Sequence, residues 1–355
     1  MSNKDSKPPT NTPLAFRNKY LVFVYNVRHK YPSLTDPETF LEVDFDDQET
    51  IDAMIKHFKN LGFAVFPLEA NLKAEEILLR NKEKIGLIFN YSERIIGVAP
   101  KKFMAEIYEK YNLPFTGSSN STQKIIMDKA LMQKILIKGN VSTLPHQVFT
   151  NKDEVLNKNL IFPLIVKPVS EGSSAGITNK SVVKNEEELK RQADLVIKTF
   201  DGKALVEPFL TGPEFSVGMI GNPPKILPIV QPNHKKLPKG YHPLDSLEVK
   251  WIFEEEIGTN YFDCPAKIED PLKREIEEMC LNTWELLKIR DFCRIDLRMN
   301  GEKLYVLDVN SPPGIIPPEI SETSYLPFAA RTLGLTYDQL ILSVINAAVK
   351  RLNLR

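Results

Sequence analysis

Residues 292–314 read FCRIDLRMNGEKLYVLDVNSPPG, two apolar-rich runs on either side of Asn300-Gly301. An Asn-Gly pair between such runs is a strong hairpin signal. Arg294 and Asp296 lie two apart and share a strand face, as do Asp308 and Asn310. The turn decides whether the pairs meet. A two-residue loop, Asn300-Gly301, pairs Met299 with Glu302 and turns Asp308 away from Asp296. A three-residue loop with a bulge, Asn300-Gly301-Glu302, pairs Met299 with Lys303, sets Arg294 across from Asp308 and gathers all four polar side chains on one side. The three-residue loop is the expectation. Two carboxylates and an amide oxygen on one face suit Mg²⁺, which takes few protein oxygens and completes its shell with water and phosphate. An adjacent Arg294 can stabilise an anionic oxygen developing beside the metal. An exposed polar sheet face is the plain alternative. The clustering of four such residues, with Pro312-Pro313-Gly314 fixing the next loop, weighs against it.

Upstream, residues 165–176 read IVKPVSEGSSAG. A buried strand there delivers Lys167 beside a Gly/Ser loop, which can present N–H groups and hydroxyls to phosphate oxygens while the lysine supplies a point charge. No Gly-Lys-Ser/Thr opens a helix after a strand, so this is not a Walker A loop. A flexible hairpin with a snorkelling lysine has the same composition. Asp128-Lys129 falls on a helix expected from about Ser121 to Ile137, where a lone lysine is ordinarily solvated. Residues 205–214 read LVEPFLTGPE. The stretch through Phe209 and Leu210 resembles a connecting segment against which a flat ring can lie. Glu207 and Glu214 could then accept hydrogen bonds from an amine and from hydroxyls, or they simply end a strand in solvent.

Further out, strands are expected at Tyr20–Val27, Phe63–Leu68 and Ile85–Asn90, alternating with helices, one of them closed by Gly62. That alternation implies a parallel α/β domain ending near Thr116-Gly117. The later chain is richer in strands: Leu160–Lys167, Gly176–Val183, Ala204–Pro208, Glu214–Ile220, Lys225–Val230 and the hairpin. Helices are expected at Glu186–Thr199, Pro271–Lys288 and Thr336–Leu352. The fold class is therefore α/β followed by α+β layers, with boundaries at 19–118, 119–206 and 207–355 behind a flexible tail, 1–18.

The 355 residues carry 46 Lys+Arg against 46 Asp+Glu, a balance that speaks against nucleic acid as partner. No apolar run approaches the ~20 residues needed to span a bilayer, and residues 1–18 lack the apolar core of a secretory signal. Three cysteines without CxxC spacing exclude a disulfide framework and point to a reduced, cytoplasmic setting.

Together the segments resemble the ATP-grasp superfamily, and within it the D-alanine–D-alanine ligases. The matching stretches are PFTGSS at Pro114–Ser119, MDK at Met127–Lys129, VKPVSEGSSAG at Val166–Gly176 and VEPFLTGPEF at Val206–Phe215. FDCPA at Phe262–Ala266, RIDL at Arg294–Leu297, LDVNSPPG at Leu307–Gly314 and SYLPFAAR at Ser324–Arg331 follow in the family's order. The resemblance implies a three-domain ATP-grasp architecture and an ATP-dependent carboxylate–amine ligase working through an acyl phosphate. It implies ATP between the central and C-terminal domains, with Lys129 and Lys167 on its phosphates, and Glu171, Ser173 and Ser174 in the loop closing over the γ-phosphate. Glu207 would take the adenine amine beside Phe209 and Leu210, and Glu214 the ribose. Asp296, Asp308 and Asn310 would hold two Mg²⁺ ions, with Mn²⁺ a substitute. Arg294 and the Gly314 N–H would stabilise the tetrahedral intermediate, Lys250 would reach the transferred phosphate, and Ser324 would hold the second substrate's carboxylate. A homodimer acting on amino acids or small carboxylic acids is the corresponding expectation.

Several positions depart from the family. Residues 27–41 contain no counterpart of the glutamate–serine segment that holds the first alanine's ammonium. The segment Phe89-Asn90-Tyr91-Ser92-Glu93-Arg94 replaces a glycine-rich His-Gly segment, and Trp251 stands beside Lys250 where a tyrosine is expected. Asp308 replaces a metal glutamate, Pro208 a lysine near the adenine, and Pro317-Pro318-Glu319 lengthens the loop before Ser324. The changes gather at the first-substrate pocket, so the expectation is retained activation chemistry with an altered first substrate. The alternatives are a genuine D-alanine–D-alanine ligase and an ATP-binding regulatory protein without turnover. The stretch from Asp36 to Asp52 holds eight acids and no Lys or Arg. It is either a solvated face or an attraction for a cationic substrate.

Overall fold

The computed structural model describes residues 16, 18–31, 39, 42–172, 174–200, 202–253 and 258–354, the side chains of Trp251 and Ile252 apart. Three parallel strands, β1 (Tyr20–Tyr25), β2 (Val65–Glu69) and β3 (Ile85–Asn90), form a sheet in the order β2-β1-β3. All six residues of β3 are buried although it ends the sheet order, and on its outer side Ile88 bridges to Phe115. The helix Gln48–Asn60 ends as expected, with Gly62 at φ +85° returning its N–H to Lys59 O.

Two antiparallel four-stranded sheets follow. The first joins β4 (Gln147–Phe149), β5 (Leu164–Pro168), β6 (Val182–Val183) and β7 (Ala204–Pro208) in the order β4-β7-β5-β6. The second contains β8 (Glu214–Gly221) and β9 (Pro224–Ile226). A two-stranded ribbon, β10 (Gln231–Pro232) with β11 (Phe262–Asp263), intervenes before β12 (Phe292–Asn300) and β13 (Lys303–Asn310) complete the order β13-β12-β8-β9. Alternation sorts each sheet. On β5 and β7, Leu164, Val166, Ala204 and Val206 pack on the helix Glu186–Thr199, while Ile165, Lys167 and Glu207 look the other way. On β8 and β12, Phe215, Val217, Ile295 and Leu297 join a core with the helices Lys129–Lys138 and Asp270–Leu287. Their polar neighbours are left facing the first sheet's polar side, and the site lies between these two polar faces.

Four expectations are corrected. The hairpin has a two-residue loop, Gly301-Glu302, because Asn300 pairs with Lys303, and Gly301 takes the positive φ of +60° at its first position. The bulge sits further down. Asp296 pairs with Asp308 but Leu297 with Val306, so Leu307 has no partner of its own. The four polar residues do share a face, but Arg294 stands across from Asn310 rather than Asp308. The helix expected from Ser121 to Ile137 is two, Asn120–Met127 and Lys129–Lys138, broken where the Asp128 side chain leaves the ladder to cap Leu131 N–H. Of the strand expected at Gly176–Val183 only Val182–Val183 forms, since Thr178 and Ser181 close a reciprocal capping box around a 3₁₀ turn. The strand expected at Lys225–Val230 ends at Ile226, and Val230 makes only an isolated bridge to Ser216. Of the tail, residues 1–15 and 17 lie outside the described residues.

Candidate active site

A cleft with an empty volume of ≈ 890 Å³, open mouth included, lies between the two antiparallel sheets. The break at Asp128 builds one wall. It makes Lys129 the first residue of a helix, ties its N–H to Val169 O at 3.1 Å, and sends its side chain inward, 5% exposed. The expectation of a solvated helical lysine is thereby overturned. Lys129 Nζ donates to Asp308 Oδ1 at 3.0 Å and to Oδ2 at 2.9 Å. Lys167, from β5, reaches Glu207 Oε2 on β7 at 2.6 Å, and Gln133 donates to the other oxygen of Glu207. Glu207 is 1% exposed, so it is no solvent-facing strand end. Each lysine is held by a carboxylate that is itself a candidate ligand-binding group.

Across the cleft, Arg294 Nε and Nη2 grip Asp296 at 3.0–3.2 Å, and Asp296 also accepts from Ser216 Oγ at 2.6 Å and Asn310 Nδ2 at 3.2 Å. Burial alone raises the Asp308 carboxyl; the Lys129 and Lys167 charges overcome it and hold Asp308 below the ordinary range. Lys129 is raised in turn, because its pairing with Asp308 outweighs the burial that opposes its charge. Burial raises Glu214 and Glu171, offset in part by Arg298 and Lys101 respectively. Among the described residues no three His, Cys, Asp or Glu side chains form a cage for a metal. Two paired carboxylates and an amide fit a hard ion that keeps water and phosphate oxygens in its shell.

The chain's own likenesses accord with this geometry. The family model described as "D-ala D-ala ligase C-terminus" matches residues 135–346. A D-alanine–D-alanine ligase of Aquifex aeolicus is 30% identical over 303 residues, 84% of this chain and 94% of the relative. The chain belongs to the D-alanine–D-alanine ligase family. Family members are ATP-dependent ligases that form carbon–nitrogen bonds. An uncharacterised protein, y4sG, of Sinorhizobium fredii is 28% identical over 268 residues, 75% of each chain. In fold, the chain resembles the D-alanine–D-alanine ligase of Bacillus anthracis crystallised with ATP, at a TM-score of 0.68 and 20% identity, over 94% of this chain and 98% of that one. The multidomain ATP-grasp architecture expected for the family is the one observed.

The family's expected site residues largely converge. Lys129, Lys167, Glu171, Ser174, Glu207, Phe209, Leu210, Glu214, Lys250, Arg294, Asp296, Asp308 and Asn310 all line the one cleft. Gly314 and Ser324 line an adjoining cavity, and Ser324 Oγ accepts the Ile316 N–H at 3.2 Å. Ser173 and the Trp251 side chain lie outside the described residues. Sequence reasoning missed Arg298, whose Nη1 holds Glu214 Oε2 at 3.0 Å. Its signal was present, since Arg294, Asp296 and Arg298 alternate along one strand. It also missed Asp245, whose carboxylate accepts from Tyr325, Tyr261 and His234 and whose backbone oxygen accepts from Ser174 Oγ at 2.6 Å. No local pattern marks that convergence. Among the described residues no single helix is long and apolar enough to cross a membrane.

Proposed function

We propose that the protein is an ATP- and Mg²⁺-dependent carboxylate–amine ligase joining two small amino acid-like substrates through an acyl phosphate. Its first-substrate pocket is changed from that of the D-alanine–D-alanine ligases. The supporting observation is the meeting of Lys129, Lys167 and Arg294 with Asp296, Asp308 and Asn310 around one cleft. A carboxylate does not condense with an amine unaided. Its oxygen attacks the γ-phosphorus and ADP leaves; the amine then attacks the acyl carbon, phosphate leaves and the nitrogen loses a proton.

Bringing a carboxylate onto a triphosphate crowds anions together, so fixed cations aimed at the developing charge carry the rate. Lys129 and Lys167 would exchange their carboxylate partners for phosphate oxygens. Glu171, Ser173 and Ser174 belong to the loop closing on the γ-phosphate, and Lys250 reaches the same group. Glu207, Phe209 and Leu210 hold adenine, and Glu214, steadied by Arg298, holds ribose. Asp296, Asp308 and Asn310 would hold Mg²⁺, two ions with Mn²⁺ a substitute, which supplies charge neutralisation at the phosphates. Arg294 and the Gly314 N–H stabilise the tetrahedral oxyanion. Ser324 and Trp251 belong to the substrate side.

The same reading takes 19–118, 119–206 and 207–355 as the three domains, a homodimer as the assembly and the cytoplasm as the location. A second reading, a genuine D-alanine–D-alanine ligase, is supported by the likeness to the Aquifex aeolicus enzyme. Phosphate release with Mg·ATP across D- and L-amino acids, singly and in pairs, with products identified by mass, separates the two. D-alanine alone giving its dipeptide establishes the second reading. Another acid or pair establishes the first, and turnover with no amino acid sinks both.

A further inference from the structure

Asp245 lies between β10 and β11, on the segment that also carries Lys250, and is 8% exposed. Its Oδ1 accepts from His234 Nε2 at 3.0 Å and from the Tyr261 hydroxyl at 3.2 Å, while Oδ2 accepts from the Tyr325 hydroxyl. Its backbone oxygen accepts from Ser174 Oγ at 2.6 Å. Hydrogen bonds to a carboxylate are roughly twice as strong as neutral ones, so three of them hold Asp245 in one place. Two of its four partners, Ser174 and Tyr325, line the cleft, as does Asp245 itself.

Those two partners come from opposite walls. Ser174 is in the Gly/Ser loop after β5, and Tyr325 opens the helix Tyr325–Thr332 next to Ser324. The Asp245 segment is fastened to the loop side twice more. Leu247 N–H reaches Ile177 O at 2.8 Å, and Asn179 N–H reaches Glu248 Oε1 at 3.1 Å. Lys250 N–H returns to Ser246 O at 3.0 Å, so the same short stretch sets the lysine's backbone. On the other wall, the Tyr325 ring centre lies 5.4 Å from the Arg294 guanidinium carbon and 5.0 Å, edge-on, from the Phe262 ring. Asp245 thus bonds the loop that closes over phosphate and the ring that backs the arginine of the acyl centre.

We propose that Asp245 is a positioning residue that makes the shutting of the Gly/Ser loop and the seating of Tyr325 against Arg294 a single event. Its effect is to keep water from the activated acid until the amine has attacked. If the loop opens early, water attacks the acyl carbon, the bond to the phosphate oxygen breaks, and phosphate and a proton leave the regenerated carboxylate. The net reaction is then ATP hydrolysis without an amide. The inference rests on the ligase reading for this chemistry, but the tether between loop and ring is measurable without turnover.

Tyr325→Phe removes only the hydroxyl that Asp245 holds and keeps the ring, and Asp245→Asn trades the charged acceptor for a neutral amide. The readout is the ratio of phosphate released to amide formed, with Mg·ATP and the amino acids that the native protein joins. Tyr325→Phe should raise that ratio roughly threefold or more and lower kcat for amide formation roughly tenfold, with KM for ATP little changed. Asp245→Asn should do the same, and the double variant should be no worse than either single one, because the two side chains act as a unit. A carboxylate that only stabilises the fold would lower the melting temperature and leave the ratio alone. Native ratio and native kcat in Tyr325→Phe overturn the tether and leave the ligase. Phosphate release without amide in the native protein overturns the ligase, and hydrogen exchange then decides the tether. With Mg²⁺ and a non-hydrolysable ATP analogue, exchange at residues 174–177 should be roughly tenfold faster in Tyr325→Phe than in the native protein. Equal exchange in both overturns the proposal.

Discussion

Lys129 Nζ bonds both oxygens of Asp308, at 3.0 and 2.9 Å, and so joins two residues 179 positions apart. Because Lys129 is also tied through its N–H to Val169, the contact links the end of β5 to the β12–β13 hairpin. Removing one member of a buried pair strands the other, at a cost of ~3–5 kcal/mol, and the 26% exposure of the Asp308 side chain places this pair at the low end. Lys129→Ala should therefore lower the unfolding midpoint and raise KM for ATP tenfold or more. A variant with native stability and native KM would remove Lys129 from the site.

Arg294 is committed to Asp296 through three contacts of 3.0–3.2 Å, and its ring-facing side lies 5.4 Å from the Tyr325 ring centre. A group stabilising the transition state should be felt in kcat. Arg294→Ala is expected to cost roughly 10²–10³ in kcat while KM for ATP moves little. Steady-state kinetics check this, and equal losses in both parameters would assign Arg294 to nucleotide binding alone.

Asp296→Asn keeps the shape of the side chain and removes the charge that Arg294, Ser216 and Asn310 converge upon. Mg²⁺-dependent turnover should disappear, with a Mg²⁺ titration as the readout. Turnover unchanged across that titration would sink the metal assignment.

Most of the polar face was legible because strands are periodic. Once the hairpin was recognised from Asn300-Gly301, residues two apart had to share a side, so Arg294 with Asp296 and Asp308 with Asn310 followed. The position of the bulge did not follow, because the observed loop, Gly301-Glu302, is neither of the two that the Asn-Gly signal offers, and the extra residue falls at Leu307 instead. The surroundings of Lys129 were hidden for a related reason. Asp128 suits a helix interior poorly but caps one well, and nothing local says that the helix restarts there. The cavity-lining position of Asp44 and Asp46 was least visible, because a run of acids has the same composition whether it lines a cavity or faces water.

The His234–Asp245 pair, 3.0 Å apart, gives a pH signature. Burial lowers His234, but the hydrogen bond and charge of Asp245 raise it above its ordinary 6.5. Its stabilisation is present below pH ~6.5 and is lost as pH rises through the folded-state value. Asp245 is the mirror case: burial opposes its charge, yet His234 holds it low, so its share is lost only in strong acid. The melting temperature should fall as pH rises above ~6.5, and His234→Gln should flatten that fall. An equal slope in both proteins would exclude the pair as its source.

A Cβ added at Gly212 would lie 2.3 Å from the Met299 carbonyl oxygen, a backbone atom with no rotamer to yield. Gly212 O also accepts from Arg298 Nε at 3.1 Å, so the clash is transmitted to Glu214. Gly212→Ala should cost ~1–3 kcal/mol and raise KM for ATP together. Denaturant unfolding and kinetics on the same preparation check both effects.

The unpaired Leu307 has a consequence for measurement at the atomic scale. In a regular strand, neighbours point apart; at this bulge, Leu307 and Asp308 both line the one cleft. An apolar side chain and a carboxylate are thus spaced by a single peptide unit, ~3.8 Å between α-carbons. Side chains cannot rescale that interval and a loop cannot drift it. The hairpin thus presents an apolar side chain and a carboxylate to the cleft at an interval set by the backbone itself.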